Sequence, residues 1–229
     1  MSTKALLLVG SPGKLGSNSD RIGQYLLDRM ADAGWDTDKE CICAVVGDES
    51  KLSSVLDKMD SSDLIIFSFP LYVDSLPAPM IRFLERANDH RLAIKATGQR
   101  LMAVCQSGFP ESHHNDYALR ICSIFAADSG FRWAGGLSVG GGGAIGGRDL
   151  VESGGMLRHL RHALDLSAQA MVDGADVPPE AKELTNKGIA PPWLYNWIVN
   201  RKWKQEARRN GVDARAGPIH NGQGVVRDE

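Results

Sequence analysis

Residues 6–19 read LLLVGSPGKLGSNS, in which four apolar residues lead into a loop of small and polar ones. The next apolar residues recur at helical spacing, at Ile22, Tyr25, Leu26 and Met30. This order predicts a buried β-strand, a turn and the start of an α-helix. Because a helix N-terminus leaves its first four N–H groups unpaired and carries partial positive charge, it binds anions well. The segment therefore predicts an α/β fold with an anion site after its first strand.

The glycine spacing of this loop excludes two common phosphate-binding motifs. A P-loop needs Gly, four residues and then Gly-Lys-Ser/Thr, but five residues separate Gly10 from Gly16, and Ser17 stands where the lysine would be. The dinucleotide fingerprint G-x-G-x-x-G fails because the successive glycines are three residues apart. The remaining interpretations are a loop that binds a phosphate monoester and an ordinary βα turn capped by Asn18 or Ser19.

The composition is typical of a soluble globular protein. Hydrophobic residues make up 43% of the 229 positions, and the formal net charge is −2, which gives no reason to expect a nucleic-acid partner. We find no signal peptide and no apolar stretch of membrane-spanning length, which predicts a cytoplasmic location. The four cysteines form neither a C-x-x-C pair nor a cluster with histidine, so no metal site or disulfide framework is expected.

Strand and helix patterns alternate along the chain after the first helix. Four more strands are predicted at 35–44, 63–69, 100–106 and 133–139. Helical patterns follow them at 50–59, 117–127 and 150–171, and another helix begins with the pattern at 79–87. This alternation predicts a doubly wound parallel sheet with helices on both faces, whose ligand binds beyond the carboxyl ends of the strands.

Unusual residues gather in the loops after the third and fourth predicted strands. Residues 70–79 place an aromatic and several apolar residues among three prolines, which predicts a rigid surface for a planar ring. Residues 106–112 combine small residues with Phe109, which permits backbone contact with the edge of a ligand. One loop for phosphate and two for a ring together indicate a mononucleotide site.

These loops resemble those of the flavodoxin-like, NADPH-dependent FMN reductase family. The resemblance is carried by GSPGKLGSNS at 10–19, FPLYVDSLPAPMIRFLERA at 69–87 and QSGFPES at 106–112, and it covers about residues 4–173. It implies a flavodoxin-like, five-stranded parallel sheet of order 2-1-3-4-5 that binds FMN non-covalently.

The resemblance also implies which residues bind FMN, with the first loop at the phosphate and the other two along the flavin ring. The implied residues are Ser11, Gly13, Lys14, Ser17, Asn18, Ser19, Pro70, Leu71, Tyr72, Val73, Asp74, Ser107, Gly108 and Phe109. Many family members carry arginine after the Ser-Pro pair, whereas this chain has Gly13 and Lys14. Lys14 offers a single point charge without the bidentate fork of arginine.

The activity implied is that of an oxidoreductase that passes hydride from NADPH or NADH through bound FMN to a quinone, free flavin or another small acceptor. The flavin carries out the redox chemistry, so no acid–base catalytic residue and no metal is required. Two alternatives stay open, a flavodoxin-type electron carrier between proteins and a flavin-free binding module. Family analogy also suggests a homodimer, in which a second subunit borders the flavin edge.

Several residues near these loops have a second interpretation. Tyr72 either contacts the flavin or caps the sheet edge, and Asp74 either caps the next helix or bonds a flavin amide. His113 and His114 either donate protons to a quinone or are solvated in the first turn of a helix. The glycines at 140–143 indicate backbone that either passes close to another group or moves, as a flap by the flavin or as a plain flexible connector.

The domain organisation predicted is a flavodoxin-like domain at 1–173, a linker with a Trp-rich basic helix at 174–213, and a disordered tail at 214–229. Proline at its start and Gly211 near its end frame the helix. The helix could lie on an anionic membrane, cover a partner subunit's flavin pocket, or pack on its own domain. Of these, membrane association is the least expected.

Overall fold

The computed structural model describes residues 3–12, 16–187, 189 and 192–212. Its strands are β1 (Lys4–Val9), β2 (Asp36–Cys41), β3 (Leu64–Pro70), β4 (Arg100–Gln106) and β5 (Arg132–Val139). Its α-helices are α1 (Asn18–Asp32), α2 (Ile42–Val45), α3 (Glu49–Asp60), α4 (Ala78–Ile94), α5 (Asp116–Asp128), α6 (Arg158–Val172), α7 (Pro179–Asn186) and α8 (Pro192–Arg209). Short 3₁₀ turns occupy Ser112–Asn115, Gly142–Ala144 and Gly154–Leu157.

The strands form one parallel sheet in the order β2-β1-β3-β4-β5. This confirms the flavodoxin-like order expected from the resemblance. The chain moves from β1 outward to β2 and then back to β3 on the other side of β1, so the direction of winding reverses between β1 and β3. Such a reversal opens a crevice at the carboxyl ends of the strands.

The sheet is buried between two layers of helices. β1 and β3 are buried over nearly their whole length because they lie inside the sheet, as their continuous apolar sequences predict. Leu7 of β1 belongs to the core under α1 and α6, whereas Leu6 and Leu8 belong to the core under α3, α4 and α5. The alternation of side chains along one strand therefore builds both cores.

Two elements differ from the sequence predictions, both because of local backbone geometry. The long helical pattern from 150 becomes α helix only at Arg158, since the preceding residues form turns and a 3₁₀ segment in which Gly154 has a φ of 65°. The second strand ends at Cys41, because the chain turns directly into α2.

Helix α7 is an element that the sequence patterns did not predict. The segment before it reaches the outer strand, where the Val177 N–H donates a hydrogen bond of 2.7 Å to the Ala134 carbonyl. A Cβ at Gly135 would lie 2.9 Å from Val177 Cβ, so glycine permits this approach. The segment thus covers part of an edge strand that would otherwise present unpaired backbone groups.

The chain divides into two compact units, residues 1–190 and 191–229. The first unit extends past residue 173, because α7 and the segment before it pack with α6 and β5. The second unit contains α8, and the predicted tail at 214–229 lies outside the described residues. Among the described helices, none combines the length and apolar character needed to cross a bilayer.

Lys58 of α3 links two acidic residues of the edge strand β2, with its Nζ 2.9 Å from Asp38 Oδ2 and 2.5 Å from Glu40 Oε1. Burial raises the pKa of Asp38, but hydrogen bonds from Lys58 and from the Lys39 N–H outweigh it and hold that pKa below its ordinary value. A depressed folded-state pKa stabilises the protein above the unfolded pKa of about 3.9, and this stability is lost as pH falls through the folded pKa.

We therefore expect Lys58→Met to lower the unfolding free energy at pH 7 by less than about 1 kcal/mol, since solvent screens this half-exposed pair. The difference from wild type should shrink as pH falls below about 4, because Asp38 is then protonated first in the unfolded chain and, at a lower pH, in the folded protein. Urea denaturation at pH 7 and pH 2.5, with Lys182→Met as the surface control, measures both effects. A difference that is the same at the two pH values would contradict this account.

Candidate functional site

The loops that follow β1, β3 and β4 all begin at the carboxyl ends of the strands. The Gly10 N–H donates to the Ser68 carbonyl at 2.9 Å, the Leu71 N–H to Gln106 at 2.8 Å, and the Ser107 N–H to Val139 at 3.0 Å. These bonds extend the strand ladders by one residue beyond β1, β3 and β4. The predicted phosphate loop and both predicted ring loops are therefore brought together at the carboxyl ends of the strands.

The start of α1 is ordered by a side-chain capping arrangement. Ser17 Oγ accepts a hydrogen bond of 3.2 Å from the Asp20 N–H, and Asp20 Oδ2 accepts one of 2.7 Å from the Gly16 N–H. Asp20 is buried, and its other carboxylate oxygen lies 2.8 Å from Nζ of Lys39 on β2. The sequence interpretation missed Asp20, although Ser-x-x-Asp at 17–20 is a capping-box pattern that signals it.

Ser19 provides a donor that the protein itself does not use. It is fully buried in the first turn of α1, and its Oγ has no hydrogen-bond partner among the described residues. Its carbonyl accepts a hydrogen bond of 2.7 Å from Ser68 Oγ, which ties α1 to β3. A buried hydroxyl without a partner is costly, and here it lies beside the positive end of a helix, where an anion is favoured.

The side chain of Asn18 hydrogen-bonds to the backbone of the segment after β5. Its Nδ2 donates to the Gly142 carbonyl and its Oδ1 accepts from the Gly147 N–H, each at 2.8 Å. Arg21 Nε donates to the Gly147 carbonyl at 3.0 Å. The Asn18 side chain thus ties the segment after β5 to the start of α1. Gly13 and Lys14 lie outside the described residues.

The glycine-rich segment after β5 passes close to the third loop, which is one of its two sequence interpretations. The Gly141 N–H donates to the Phe109 carbonyl at 2.6 Å, and the Gly142 N–H donates to Ser107 at 2.8 Å. A Cβ at Gly140 would lie 2.2 Å from the backbone oxygen of Pro110. A side chain there would collide with backbone, so the absence of a Cβ is what lets the two segments meet.

The loop after β3 ends in a tight turn with an exposed tip. Tyr72 and Ser75 exchange backbone hydrogen bonds of 2.9 and 3.1 Å, and the two residues between them have positive φ, 48° at Val73 and 57° at Asp74. A β-branched residue with positive φ is strained, by about 1–3 kcal/mol. Tyr72 is 49% exposed, so its ring is available to a ligand. Asp74 does not cap α4, because Pro77 occupies the N-cap position.

The third loop carries a row of three rings. Phe109 is 53% exposed, its ring centroid lies 4.6 Å from that of His114, and His113 lies 4.4 Å from His114. The two histidines lie in the 3₁₀ turn that precedes α5.

Asn115, which the sequence interpretation missed, anchors this loop because its buried Nδ2 lies within 3.2 Å of the carbonyls of Cys105 and Val139. No local pattern signals that role.

A cysteine also contacts the phosphate loop. The thiol of Cys43 donates to the Ser11 carbonyl at 3.3 Å. Burial raises the pKa of this thiol, with the nearby Cys41 adding to the shift, so the donor form predominates at neutral pH. Helix α2 therefore helps to position Ser11 through the thiol of Cys43.

A known protein family matches the part of the chain that contains the sheet and the three loops. Residues 3–177 match the family model described as NADPH-dependent FMN reductase. The chain belongs to this family. It is therefore a flavin-dependent reductase with FMN as its cofactor, as the resemblance of the three loops implied.

Solved structures share the fold at low sequence identity. An FMN-dependent NADH-azoreductase from Bacillus anthracis str. Ames Ancestor, in complex with FMN, has a TM-score of 0.53 at 12% identity, over 74% of this chain and 100% of that one. A putative quinone reductase from Klebsiella pneumoniae has a TM-score of 0.54 at 15% identity, over 77% and 88% of the two chains. An NADH:FMN oxidoreductase in its apo form has 0.51 at 18% identity, over 79% and 94%. No curated protein matches the sequence. At these identities the structures support the fold alone.

The arrangement of this site fits FMN in two respects. The start of α1 with the unpaired Ser19 hydroxyl suits a phosphate monoester. The exposed rings of Tyr72 and Phe109 lie in the loop after β3, which is next to β1 in the sheet, and in the loop after β4, one strand farther on, where an apolar planar ring would be flanked by aromatic side chains. The family's cofactor and the residues present are therefore compatible.

Proposed function

We propose that this protein is an NAD(P)H-dependent FMN oxidoreductase that reduces a quinone, free flavin or another small acceptor. The observation that supports this most is the meeting of the phosphate loop and the two ring loops at one edge of the sheet. FMN, when bound, supplies the hydride and electron transfer. The protein supplies binding, orientation and access to the ring.

The described residues suggest how these tasks are divided. The first turn of α1 and the Ser19 hydroxyl hold the phosphate, and the tie through Asn18 keeps the segment after β5 beside that turn. The loops containing Tyr72 and Phe109 border the ring, and their exposed side chains leave a face open to solvent. Donor and acceptor would use this open face in turn, which corresponds to a ping-pong cycle.

A visible spectrum of the purified protein, recorded before and after anaerobic addition of NADPH and then NADH, tests the proposal. Flavin absorbance that bleaches rapidly supports a reductase, and the faster donor identifies the coenzyme. Bound flavin that resists both donors would instead support an electron carrier, although a formal net charge of −2 is much weaker than the acidic charge that such carriers use for docking. A protein that takes up no FMN would contradict the site assignment.

The assignment of Tyr72 to the ring side of the site makes a separate prediction. We expect Tyr72→Ala to weaken FMN binding by about fivefold, because an aromatic pair contributes about 1 kcal/mol beyond its buried area. Tyr117→Ala, which removes an exposed tyrosine from α5, is the matched control. FMN titration followed by flavin fluorescence measures both. Equal affinities in the two variants would favour the alternative in which Tyr72 only caps the sheet edge.

We infer that the homodimer suggested by the family uses an apolar face on α4 and α5. Ile81, Ile121 and Ile124 are exposed there and line a groove of about 360 Å³. Exposed charges of both signs lie on the same helices: Arg82, Glu85, Arg120 and Asp128. Such a face can pair with itself about a two-fold axis.

Light scattering of wild type and of the Ile121→Glu/Ile124→Glu variant tests this interface. A dimeric wild type and a monomeric variant are expected, because two buried carboxylates would face apolar partners. Val151→Glu, at an exposed position elsewhere, should remain dimeric. A monomeric wild type, or a variant that stays dimeric, would rule this interface out.

A further inference from the structure

Helix α8 presents aromatic and cationic side chains together on one face. Trp197, Arg201, Lys204 and Arg208 are spaced by four, three and four residues, so they lie along the same side of the helix. All four are exposed, and the Arg201 guanidinium lies 5.6 Å from the centroid of the Trp197 ring. We call these four residues the Trp–basic face.

The charge of α8 sets it apart from the rest of the chain. It carries five basic residues against one acidic residue, whereas the whole chain has a formal net charge of −2. Trp197, the aromatic member of the Trp–basic face, is 58% exposed. An exposed indole ring offers an extensive apolar area that is favourable to bury at an interface.

We propose that the Trp–basic face docks α8 on the surface of an anionic phospholipid bilayer. Indole rings favour the interface between headgroups and acyl chains, where the ring is buried and its N–H remains hydrogen-bonded. The guanidinium and ammonium groups beside them pair with lipid phosphates, and each cation adds to the attraction. The helix lies in the plane of the interface, which requires no apolar segment of spanning length.

A lipid surface explains this face better than a nucleic acid does. A duplex or single strand binds through a basic patch extending over the protein, but the net charge outside α8 is acidic. A planar bilayer needs only one short, aromatic and cationic segment. The proposal does not depend on the identity of the electron donor or acceptor.

Co-sedimentation of the full-length, FMN-containing protein with vesicles tests the proposal. Vesicles of phosphatidylcholine containing one quarter phosphatidylglycerol should bind the protein, and vesicles of phosphatidylcholine alone should bind it weakly. Added salt should release it, because screening weakens attraction between the cations and the surface. Equal binding to both vesicle types, or binding to neither, would overturn the proposal.

Two variants and a matched control assign the binding to α8. Arg201→Glu/Lys204→Glu/Arg208→Glu should lower the affinity for anionic vesicles at least about 100-fold, and Trp197→Ala about tenfold. Lys51→Glu/Arg158→Glu/Lys182→Glu makes the same change in net charge at exposed positions on other helices and should bind nearly as wild type does.

Equal loss in the two triple variants would mean that net charge alone drives binding, and would overturn the assignment to this face. If the triple variant of α8 still binds vesicles but loses its FMN or becomes monomeric, the helix contacts protein and not lipid, and the proposal is overturned. Binding of wild type to a single-stranded oligonucleotide, with none to vesicles, would identify a nucleic-acid surface. Circular dichroism of each variant confirms that the chain is folded before these comparisons are made.

Discussion

Replacing Arg91 by alanine is expected to lower the free energy of unfolding by about 3–5 kcal/mol, because truncating a large buried side chain leaves a cavity and removes a buried hydrogen bond. Arg91 is the largest fully buried side chain among the described residues. Its Nε donates to the Ser129 carbonyl at 2.7 Å, and its guanidinium lies 3.5 Å from the centroid of the Phe131 ring. Its Nη1 lies 3.4 Å from Asp60 Oδ1.

These contacts join the ends of three helices. Asp60 ends α3, Arg91 lies in the last turn of α4, and Ser129 follows α5. A cation near carbonyls at helix C-termini is favourable, and removing it leaves an unpaired carbonyl beside a cavity. Burial lowers the pKa of Arg91, yet guanidinium remains protonated at any pH at which the protein is folded.

Two further variants separate the charge from the volume of Arg91. Arg91→Met fills most of the space without the charge and should cost about 2–3 kcal/mol, since the hydrogen bond and the cation–π contact are lost. Arg86→Ala, one turn earlier on α4, breaks an exposed pair with Glu49 and should cost little. Urea denaturation at one fixed FMN concentration is required, because bound cofactor adds to stability. If Arg91→Ala loses no more stability than Arg86→Ala, the buried arginine does not hold these helices together.

Replacing Asn18 by alanine should weaken FMN binding about tenfold or more. The two 2.8 Å bonds from its side chain to Gly142 and Gly147 hold the segment after β5 beside the start of α1. Each partly buried hydrogen bond contributes about 0.5–1.5 kcal/mol, and a loss of 1.4 kcal/mol is a factor of ten in affinity. Asn18→Asp keeps the acceptor but adds a negative charge near the phosphate, so the loss should be on the order of 100-fold.

FMN titration of the flavin-free protein measures these affinities. Gln24→Ala is the matched control, because Gln24 also lies on α1 and its amide bonds only an exposed carboxylate, that of Asp28. Urea denaturation of the flavin-free variants shows whether the tie stabilises the fold as well. An Asn18→Ala variant that loses stability but binds FMN as the control does would reduce the tie to a structural role.

Local sequence patterns predicted most of the sheet. The run at 64–69 is apolar except for Ser68, and it forms the buried strand β3. Residues 100–106 form β4 with the bounds predicted. β2 is one of the two edge strands, and its polar sequence, DTDKEC, gave no apolar pattern from which to predict where the strand ends. Asp20 could also have been found, because a capping box is formed by residues three positions apart.

The sequence by itself determined the strands, most of the helices and the family, because each depends on residues within one segment or one loop. The tertiary structure decided which polar groups meet: Asn18 contacts backbone 124 and 129 residues away, and Arg91 contacts elements 31 and 38 residues from it. A local pattern reports that a side chain lies in the first or last turn of a helix. It does not report which loop the fold brings against that turn, and in this sheet the winding order brings the segment after β5 to the start of α1.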